Sequence, residues 1–296
     1  MHSLALRPPS FVPFFEKVIQ SLFLLLLLGG CTGIGTHPDD LLLRDAYLAR
    51  ETGDLDQALV VAEELREGER HRDEARELLA AIHRQKARGF LAEFQFQEAY
   101  DHFLIAADAG LMRARRARDL RGALEASDHL GLSIEEQRQL IRRVLNDDPR
   151  DLQLHRKAAR LSEELQDRPT AIEHYLYLYS ANPGDLRAAL RLGVLYQAEN
   201  RYRDAARVLE EVHLQEPENI QAAFTLLSAW VALHRHTEAT NLFEELLRRY
   251  PQQPSVYLRF AAYLEEQGHT SRAEQLRYEA QELLPSIEGR EMRPLN

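Results

Sequence analysis

The chain has 296 residues, of which 45% are apolar and 28% are charged, a composition typical of folded globular proteins rather than of disordered ones. Its formal net charge is −10 at pH 7, so its surface repels phosphate backbones, and we exclude general nucleic-acid binding. The single cysteine, Cys31, excludes an intramolecular disulfide.

The first thirty residues predict an export signal. Arg7 and Lys17 are basic, and the run 18–28 that follows is largely apolar. A membrane-spanning helix needs about 20 apolar residues, and this run is shorter. We therefore interpret residues 1–30 as a signal peptide rather than as a transmembrane helix.

Residues 28–31, Leu-Gly-Gly-Cys, resemble the lipobox of bacterial lipoproteins, in which an aliphatic residue and two small residues precede a cysteine. Small side chains let the backbone enter a peptidase cleft, and the thiol accepts a thioether-linked lipid. The resemblance implies that Cys31 carries several acyl chains, palmitate among them, which give stable membrane anchoring. It also implies the outer membrane, because Thr32 rather than an aspartate follows. The alternative is an ordinary signal peptide with a chance cysteine.

The segment after the cysteine changes character at residue 39. Residues 31–38 contain Thr-Gly-Ile-Gly-Thr, which has no helical periodicity and predicts a flexible tether. From residue 39 onward the apolar residues recur at helical spacing, and no segment alternates like a β-strand for long. The sequence therefore predicts an all-α fold.

Residues 39–148 carry degenerate helical repeats. Ala58 and Ala99 mark two turn-and-alanine signatures that stand 41 residues apart. A third helical pair is predicted further on, with a capping box at Ser133 and Glu136. Together with the region that follows, this gives seven predicted helical pairs.

One helix of this region has an unusually basic face. Its buried stripe is formed by small and aliphatic residues, so we interpret the arginines as a solvated charged face. The alternative is a docking patch for an acidic partner or for lipid headgroups. The arginines are Arg113, Arg115, Arg116, Arg118 and Arg121.

Residues 149–285 repeat with a period of 34 residues, and residues 286–296 follow as a C-terminal tail. Alanine recurs at one position of the period and proline at another, so two independent residue types keep one period. This predicts four regular helix-turn-helix units. The alanines are Ala171, Ala205, Ala239 and Ala273, and the prolines are Pro149, Pro183, Pro217, Pro251 and Pro285.

The regular units resemble the tetratricopeptide repeat, in which Leu-Gly, an aromatic, an alanine and a proline follow one another at fixed places. The best unit has Leu192-Gly193, Tyr196, Ala205 and Pro217 at these places. The resemblance implies a superhelical solenoid of antiparallel helix pairs, in which the alanine lies where the two helices cross.

Turn and cap residues support this register. Asn200 and Gly268 stand at the turn inside a unit, and both residue types tolerate a left-handed backbone conformation. Asp151, Asp185 and Asn219 follow the prolines at positions that predict helix N-caps.

No catalytic, cofactor or metal motif appears in the sequence. We find no Gly-x-Ser-x-Gly elbow, no glycine-rich phosphate loop and no His-Glu-x-x-His motif, and the sole thiol is committed to lipid. His234 and His236 flank Arg235 in a turn, which makes a poor chelate without a third ligand. We therefore predict neither an enzyme nor a cofactor nor a metal site.

The resemblance implies a concave surface lined by the first helix of each unit, chiefly at unit positions 2, 5, 9, 12 and 13. We predict that a helix or extended segment of a partner binds there, through an apolar centre with a polar rim. The alternative occupants are residues 286–296 or a neighbouring subunit. The predicted groove residues are Leu190, Val194, Gln197, Phe224, Ser228, Val231 and Leu258, with Arg156 and Arg160 on the rim.

The anchor and the repeats together are similar in architecture to the pilotin lipoproteins that help to build type IV pilus secretins. The resemblance implies a scaffold or assembly factor on the outer membrane, facing the periplasm, that binds other envelope proteins. The competing interpretation is an enzyme or enzyme subunit of cell-wall turnover, with its site in the N-terminal helical segment. The sequence predicts no particular oligomeric state.

Overall fold

The computed structural model describes residues 37–291, with side chains described from residue 37 to residue 283. These residues form fourteen α-helices and no β-strand, which confirms the all-α prediction and agrees with seven helical pairs. The predicted signal peptide, Cys31 with most of the tether, and residues 292–296 lie outside the described residues.

The helices alternate between the first and the second helix of each pair, and each pair is followed directly by the next. In chain order they are α1 (Pro38–Thr52), α2 (Leu55–Glu67), α3 (Arg72–Ala92), α4 (Phe96–Ala109), α5 (Arg113–Ser127), α6 (Ile134–Asp147), α7 (Leu152–Glu164), α8 (Arg168–Ala181), α9 (Leu186–Ala198), α10 (Tyr202–Gln215), α11 (Ile220–Ala232), α12 (His236–Arg249), α13 (Pro254–Glu266) and α14 (Thr270–Glu291).

A left-handed backbone conformation marks the turn inside every described pair. One residue with positive φ lies between the first and second helix in each case, and the last four of these residues stand 34 positions apart. This confirms the turn predicted at Asn200 and Gly268. The residues are Gly53, Phe94, Gly131, Gln166, Asn200, His234 and Gly268.

The predicted N-caps are present. The side chains of Asp151, Asp185 and Asn219 accept hydrogen bonds from backbone N–H groups in the first turns of α7, α9 and α11. Ser133 and Glu136 form the reciprocal capping box that starts α6. Local side-chain chemistry thus fixes where these helices begin.

The last proline does not act like the others. The four earlier prolines follow the end of a second helix, but Pro285 lies inside α14, which continues to Glu291. Residues 286–291 therefore extend the last helix, which differs from the predicted start of the tail.

Buried apolar side chains form three clusters along the stack. We call them the first (residues 46–82), second (87–161) and third (159–276) core clusters. α3 and α7 each contribute buried side chains to two of them. The alanines predicted at the helix crossings, Ala171, Ala205, Ala239 and Ala273, are at most 1% exposed. Each unit therefore buries its apolar face mainly against its neighbours.

Arg113, Arg115 and Arg118 of α5 are exposed, as a charged face requires, and four of the five arginines also form ion pairs with neighbouring helices. The acceptors at the end of α6 lie in the same unit, whereas those on α3 and at the start of α7 tie neighbouring units together. The pairs are Arg113 and Arg116 with Asp147, Arg115 with Glu77, and Arg121 with Asp148 and Asp151.

A buried ion pair joins the first helices α3 and α5. Arg84 donates from Nε to Asp119 Oδ1 at 2.5 Å and from Nη2 to Oδ2 at 2.7 Å. The Asp119 side chain is 1% exposed, so Arg84 rather than water stabilises its carboxylate.

Candidate partner-binding surface

First helices of neighbouring units contact one another in two places. α9 contacts α11 directly, and α1 contacts α3, whereas consecutive second helices make no comparable contact within the described residues. A stack of helix pairs curves toward the side on which its helices are closest. This arrangement supports a surface of first helices on the inner side of the curve.

A pocket surrounds Phe224 on this surface. It has a volume of about 280 Å³, and three of the predicted groove residues, Gln197, Phe224 and Ser228, line it. Gln197 Nε2 donates to the Thr225 carbonyl oxygen at 2.5 Å, which ties α9 to α11. The guanidinium carbon of Arg259 on α13 lies 4.4 Å from the centroid of the Phe224 ring. We call this the Phe224 pocket.

The rest of the predicted apolar centre is less exposed than expected. Leu190 and Val231 are half-buried and pack against the third core cluster. Val194 is half-buried as well, while Leu258 on α13 is exposed. The apolar side chains therefore form separate half-buried contacts and do not form one continuous exposed stripe.

A second pocket collects the two predicted rim arginines. It has a volume of about 460 Å³ and is framed by α7 and α9, and we call it the arginine pocket. Arg156 Nη2 pairs with Asp185 at 2.5 Å, and Arg191 Nε donates to Glu163 Oε1 at 3.2 Å. The pocket is lined by Arg156, Arg160, Glu163, Glu164, Tyr175, Arg187, Ala188 and Arg191.

Sequence reasoning missed several residues of both pockets. Arg187 stands at unit position 2 of α9, so the same counting that gave Leu190 could have found it. Tyr175 comes from the second helix α8 and Arg259 from the next unit, and no spacing within α9 or α11 predicts their approach.

Two histidine pairs occupy equivalent places in the stack. In the second unit, Nδ1 of His83 on α3 lies 2.7 Å from Nδ1 of His102 on α4. In the fourth unit, Nδ1 of His155 on α7 lies 3.0 Å from Nδ1 of His174 on α8. Each pair has its first histidine eleven residues before the left-handed turn residue and its second eight residues after it. In each pair the first histidine is buried.

Hydrogen bonding fixes the protons of the second pair. His155 Nε2 lies 3.1 Å from the Pro149 carbonyl oxygen, which accepts hydrogen bonds only, so Nε2 carries the proton. Its Nδ1 is then an acceptor, and His174 donates to it. The neutral pair satisfies both facing nitrogens, while a proton on both rings breaks the bond.

Acidification is expected to destabilise the folded protein through the pair of His83 and His102. Burial, followed by the nearby charges of His102 and Lys86, lowers the pKa of His83 to about 4. The unfolded chain then binds more protons below its ordinary pKa near 6.5, so stability falls as pH falls. For His83 alone the loss from pH 7 to pH 5.5 is about 1 kcal/mol, measurable by urea denaturation at each pH.

The chain supplies its own control for this pH effect. Leu42 and Val61 stand at the equivalent positions of the first unit. The double variant His83→Leu and His102→Val should therefore fold and show a smaller loss of stability on acidification. An undiminished loss in that variant would place the pH dependence in other groups.

The described residues contain no group of three or more His, Cys, Asp or Glu side chains arranged to hold a metal ion. His234 is exposed, and His236 Nδ1 lies 3.3 Å from the Tyr263 hydroxyl. No helix among residues 37–291 combines the length and apolarity that crossing a membrane needs.

Comparison with known proteins gives one family match, over part of the chain. Residues 162–229 match the family model described as tetratricopeptide repeat. No curated protein matches the chain.

Among solved structures, the chain aligns with a structure of MamA from Desulfovibrio magneticus RS-1 that begins at residue 41 of MamA. The identity is 17% and the TM-score is 0.48, and the alignment covers 57% of this chain and 96% of that chain. MamA of MSR-1 aligns with 21% identity and a TM-score of 0.46, covering 60% and 99% of the two chains. MamA of AMB-1 aligns with 20% identity and a TM-score of 0.47, covering 62% and 98%. Residues 37–291 form an all-α solenoid of helix pairs, and the segment 162–229 within it matches the tetratricopeptide repeat.

Proposed function

We propose that the protein is a membrane-anchored scaffold or assembly factor of the bacterial envelope, which binds a segment of a partner protein along its first helices. The observation that carries this proposal is the presence of two pockets on the same side of the stack, formed between successive first helices. Solenoids of helix pairs present an extended surface suited to protein segments rather than a closed cavity suited to a small substrate.

The Phe224 pocket supplies the apolar part of the proposed surface. An aromatic ring that is half-buried and partly covered by an arginine offers both an apolar contact and a charged edge, a combination common at binding surfaces. Ser228 beside it is exposed, so a ligand can approach without displacing core side chains.

The anchor is proposed from the sequence. Cys31 with its acyl chains would hold the protein at the outer membrane, facing the periplasm, and residues 32–38 would separate the stack from the lipid surface. The partners would then be other envelope proteins within reach of this tether.

Removal of the proposed lipid site tests the anchor. Cys31→Ser should yield a protein that is released from the membrane or keeps its signal peptide, because serine cannot take the thioether-linked lipid. Helicity should persist, since no described helix contains residue 31. The measurement is membrane fractionation after high-salt washing, with circular dichroism of the same sample. Continued membrane association of a processed Cys31→Ser protein would contradict the lipid anchor.

Charge introduced at the surface tests partner binding. The double variant Phe224→Asp and Val194→Asp should lose in-envelope crosslinking to the partner that the natural chain captures, because both positions lie on first helices. The matched control is Leu176→Asp with Leu214→Asp, which places the same charges at exposed apolar positions of second helices. The control should retain the crosslink.

A variant outside the core tests whether a lost crosslink results from unfolding or from a change of the surface. Ser228→Arg adds a large side chain at the exposed rim of the Phe224 pocket and removes only the serine's own bond to the Phe224 carbonyl oxygen. Loss of the crosslink in this variant supports the surface. Full capture by both folded surface variants would overturn the proposal.

A further inference from the structure

The arginine pocket is a basic concavity on a protein of net charge −10. Four arginines and two glutamates line it, so its lining carries a formal charge of +2. Two of the arginines are already engaged, Arg156 with Asp185 and Arg191 with Glu163. These bonds hold two guanidinium groups in place at the walls.

The other two arginines are uncommitted. Arg160 on α7 and Arg187 on α9 are exposed, and neither makes an ion pair within the described residues. They face one pocket from two different helices. An anion bound between them would accept charge-assisted hydrogen bonds from both guanidinium groups. No carboxylate of the described residues takes that place.

A second, independent feature points into the same pocket. The Tyr175 side chain is only 5% exposed, lines the pocket, and its hydroxyl makes no hydrogen bond within the described residues. Burial raises the pKa of Tyr175, so the hydroxyl keeps its proton at neutral pH and remains a donor. The hydroxyl can therefore donate to a bound oxyanion in place of water.

The neighbouring side chains on α9 indicate that the anion belongs to a peptide. Leu190 and Val194 follow Arg187 and Arg191 along the helix, so a charged contact and an apolar contact alternate on one helix. A segment that carries acidic and aliphatic side chains matches this order. A small free anion would use only the arginines.

We propose that the arginine pocket binds carboxylate side chains of an acidic segment in the partner protein, between Arg160, Arg187 and the Tyr175 hydroxyl. This inference rests on the proposed function and names the chemistry of its partner. The carboxylate accepts hydrogen bonds from both guanidinium groups and from the phenol, while the aliphatic residues of the same segment contact Leu190 and Val194.

The test uses the full chain in detergent and a fluorescein-labelled peptide that contains two adjacent glutamates followed by leucines. A matched peptide carries glutamine in place of glutamate. Anisotropy titrations should show at least about tenfold weaker binding of the glutamine peptide, since each charge-assisted bond is worth more than 1.4 kcal/mol, the equivalent of tenfold.

Variants locate the contact. Arg160→Gln with Arg187→Gln should weaken the glutamate peptide about tenfold or more, and Tyr175→Phe should weaken it several-fold. The control is Arg203→Gln with Arg207→Gln, which removes the same charge from exposed arginines beside another basic pocket, on α10. The control should bind the peptide almost unchanged. Equal weakening by the control would show general charge attraction and overturn the proposal.

Two further outcomes separate the possibilities. Displacement of the peptide by millimolar inorganic phosphate, but not by chloride of equal ionic strength, would assign the pocket to phosphate and overturn the carboxylate proposal. If both peptides bind equally and both bind Ser228→Arg more weakly, the proposal of carboxylate binding is contradicted. The proposal of a partner-binding surface on the first helices is then still supported.

Discussion

Asp119→Ala is expected to lower the free energy of unfolding by about 3 to 5 kcal/mol, because it leaves the guanidinium of Arg84 without its partner in a largely buried place. The two side chains share two hydrogen bonds of 2.5 and 2.7 Å, and Asp119 is 1% exposed. The hydrogen bond to Asp119 raises the pKa of Arg84, so the arginine cannot escape the penalty by losing its proton. Urea denaturation followed by circular dichroism measures the change.

An exposed ion pair of α3 with α2 serves as the control. Asp56→Ala removes the partner of Lys86, but the Asp56 side chain is 89% exposed, so water replaces the lost contact and the expected cost is small. The double variant Asp119→Leu with Arg84→Met should recover much of the lost stability, since it removes both charges. A cost for Asp119→Ala no larger than that for Asp56→Ala would contradict the buried ion pair.

Gly193→Ala should destabilise the protein by about 2 to 3 kcal/mol, although alanine normally favours a helix. A Cβ at residue 193 would lie 2.6 Å from both Cγ and Cδ2 of Leu209, which is far inside van der Waals contact. Leu209 is fully buried and has no free space into which it can move. Thermal unfolding of the variant beside the natural chain measures the loss.

Gly89→Ala provides a control, because its expected change in stability has the opposite sign. Gly89 lies in α3, and a Cβ there would meet nothing within 4 Å. The same substitution should therefore stabilise the protein by about 0.5 to 1 kcal/mol through helix propensity alone. A Gly193→Ala variant as stable as Gly89→Ala would show that the close packing of α9 against α10 is not as described.

The regular part of the fold could be predicted because its constraints are local and periodic. Ala205 and Ala239 mark helix crossings where a larger side chain does not fit, and Asp185 marks a helix start. The turns show the limit of that reasoning. Phe94 and Gln166 adopt the same left-handed conformation as Asn200, although neither residue type favours it, because the packing of the flanking helices decides the turn.

Positions within the unit predict which residues share the surface of the first helices, and Gln197, Phe224 and Ser228 line one pocket there. Partner binding at this surface stays a prediction. The uncommitted donor of Tyr175 and the ring contact of Arg259 depend on how neighbouring helices meet. Such contacts are set by the superhelical geometry, which the sequence period does not specify.

The three core clusters make the stack a row of coupled folding units rather than one cooperative body. α3 and α7 connect these units, and the buried histidines His83 and His155 lie on these two helices. A histidine pair makes weaker apolar contact between the two helices of its unit than the leucine and valine at the equivalent positions of the first unit. If the lipid on Cys31 tethers the N-terminal end, mechanical force applied through the membrane would unfold the first core cluster before the third. The protein would then lengthen under load without releasing the segment bound to its C-terminal half.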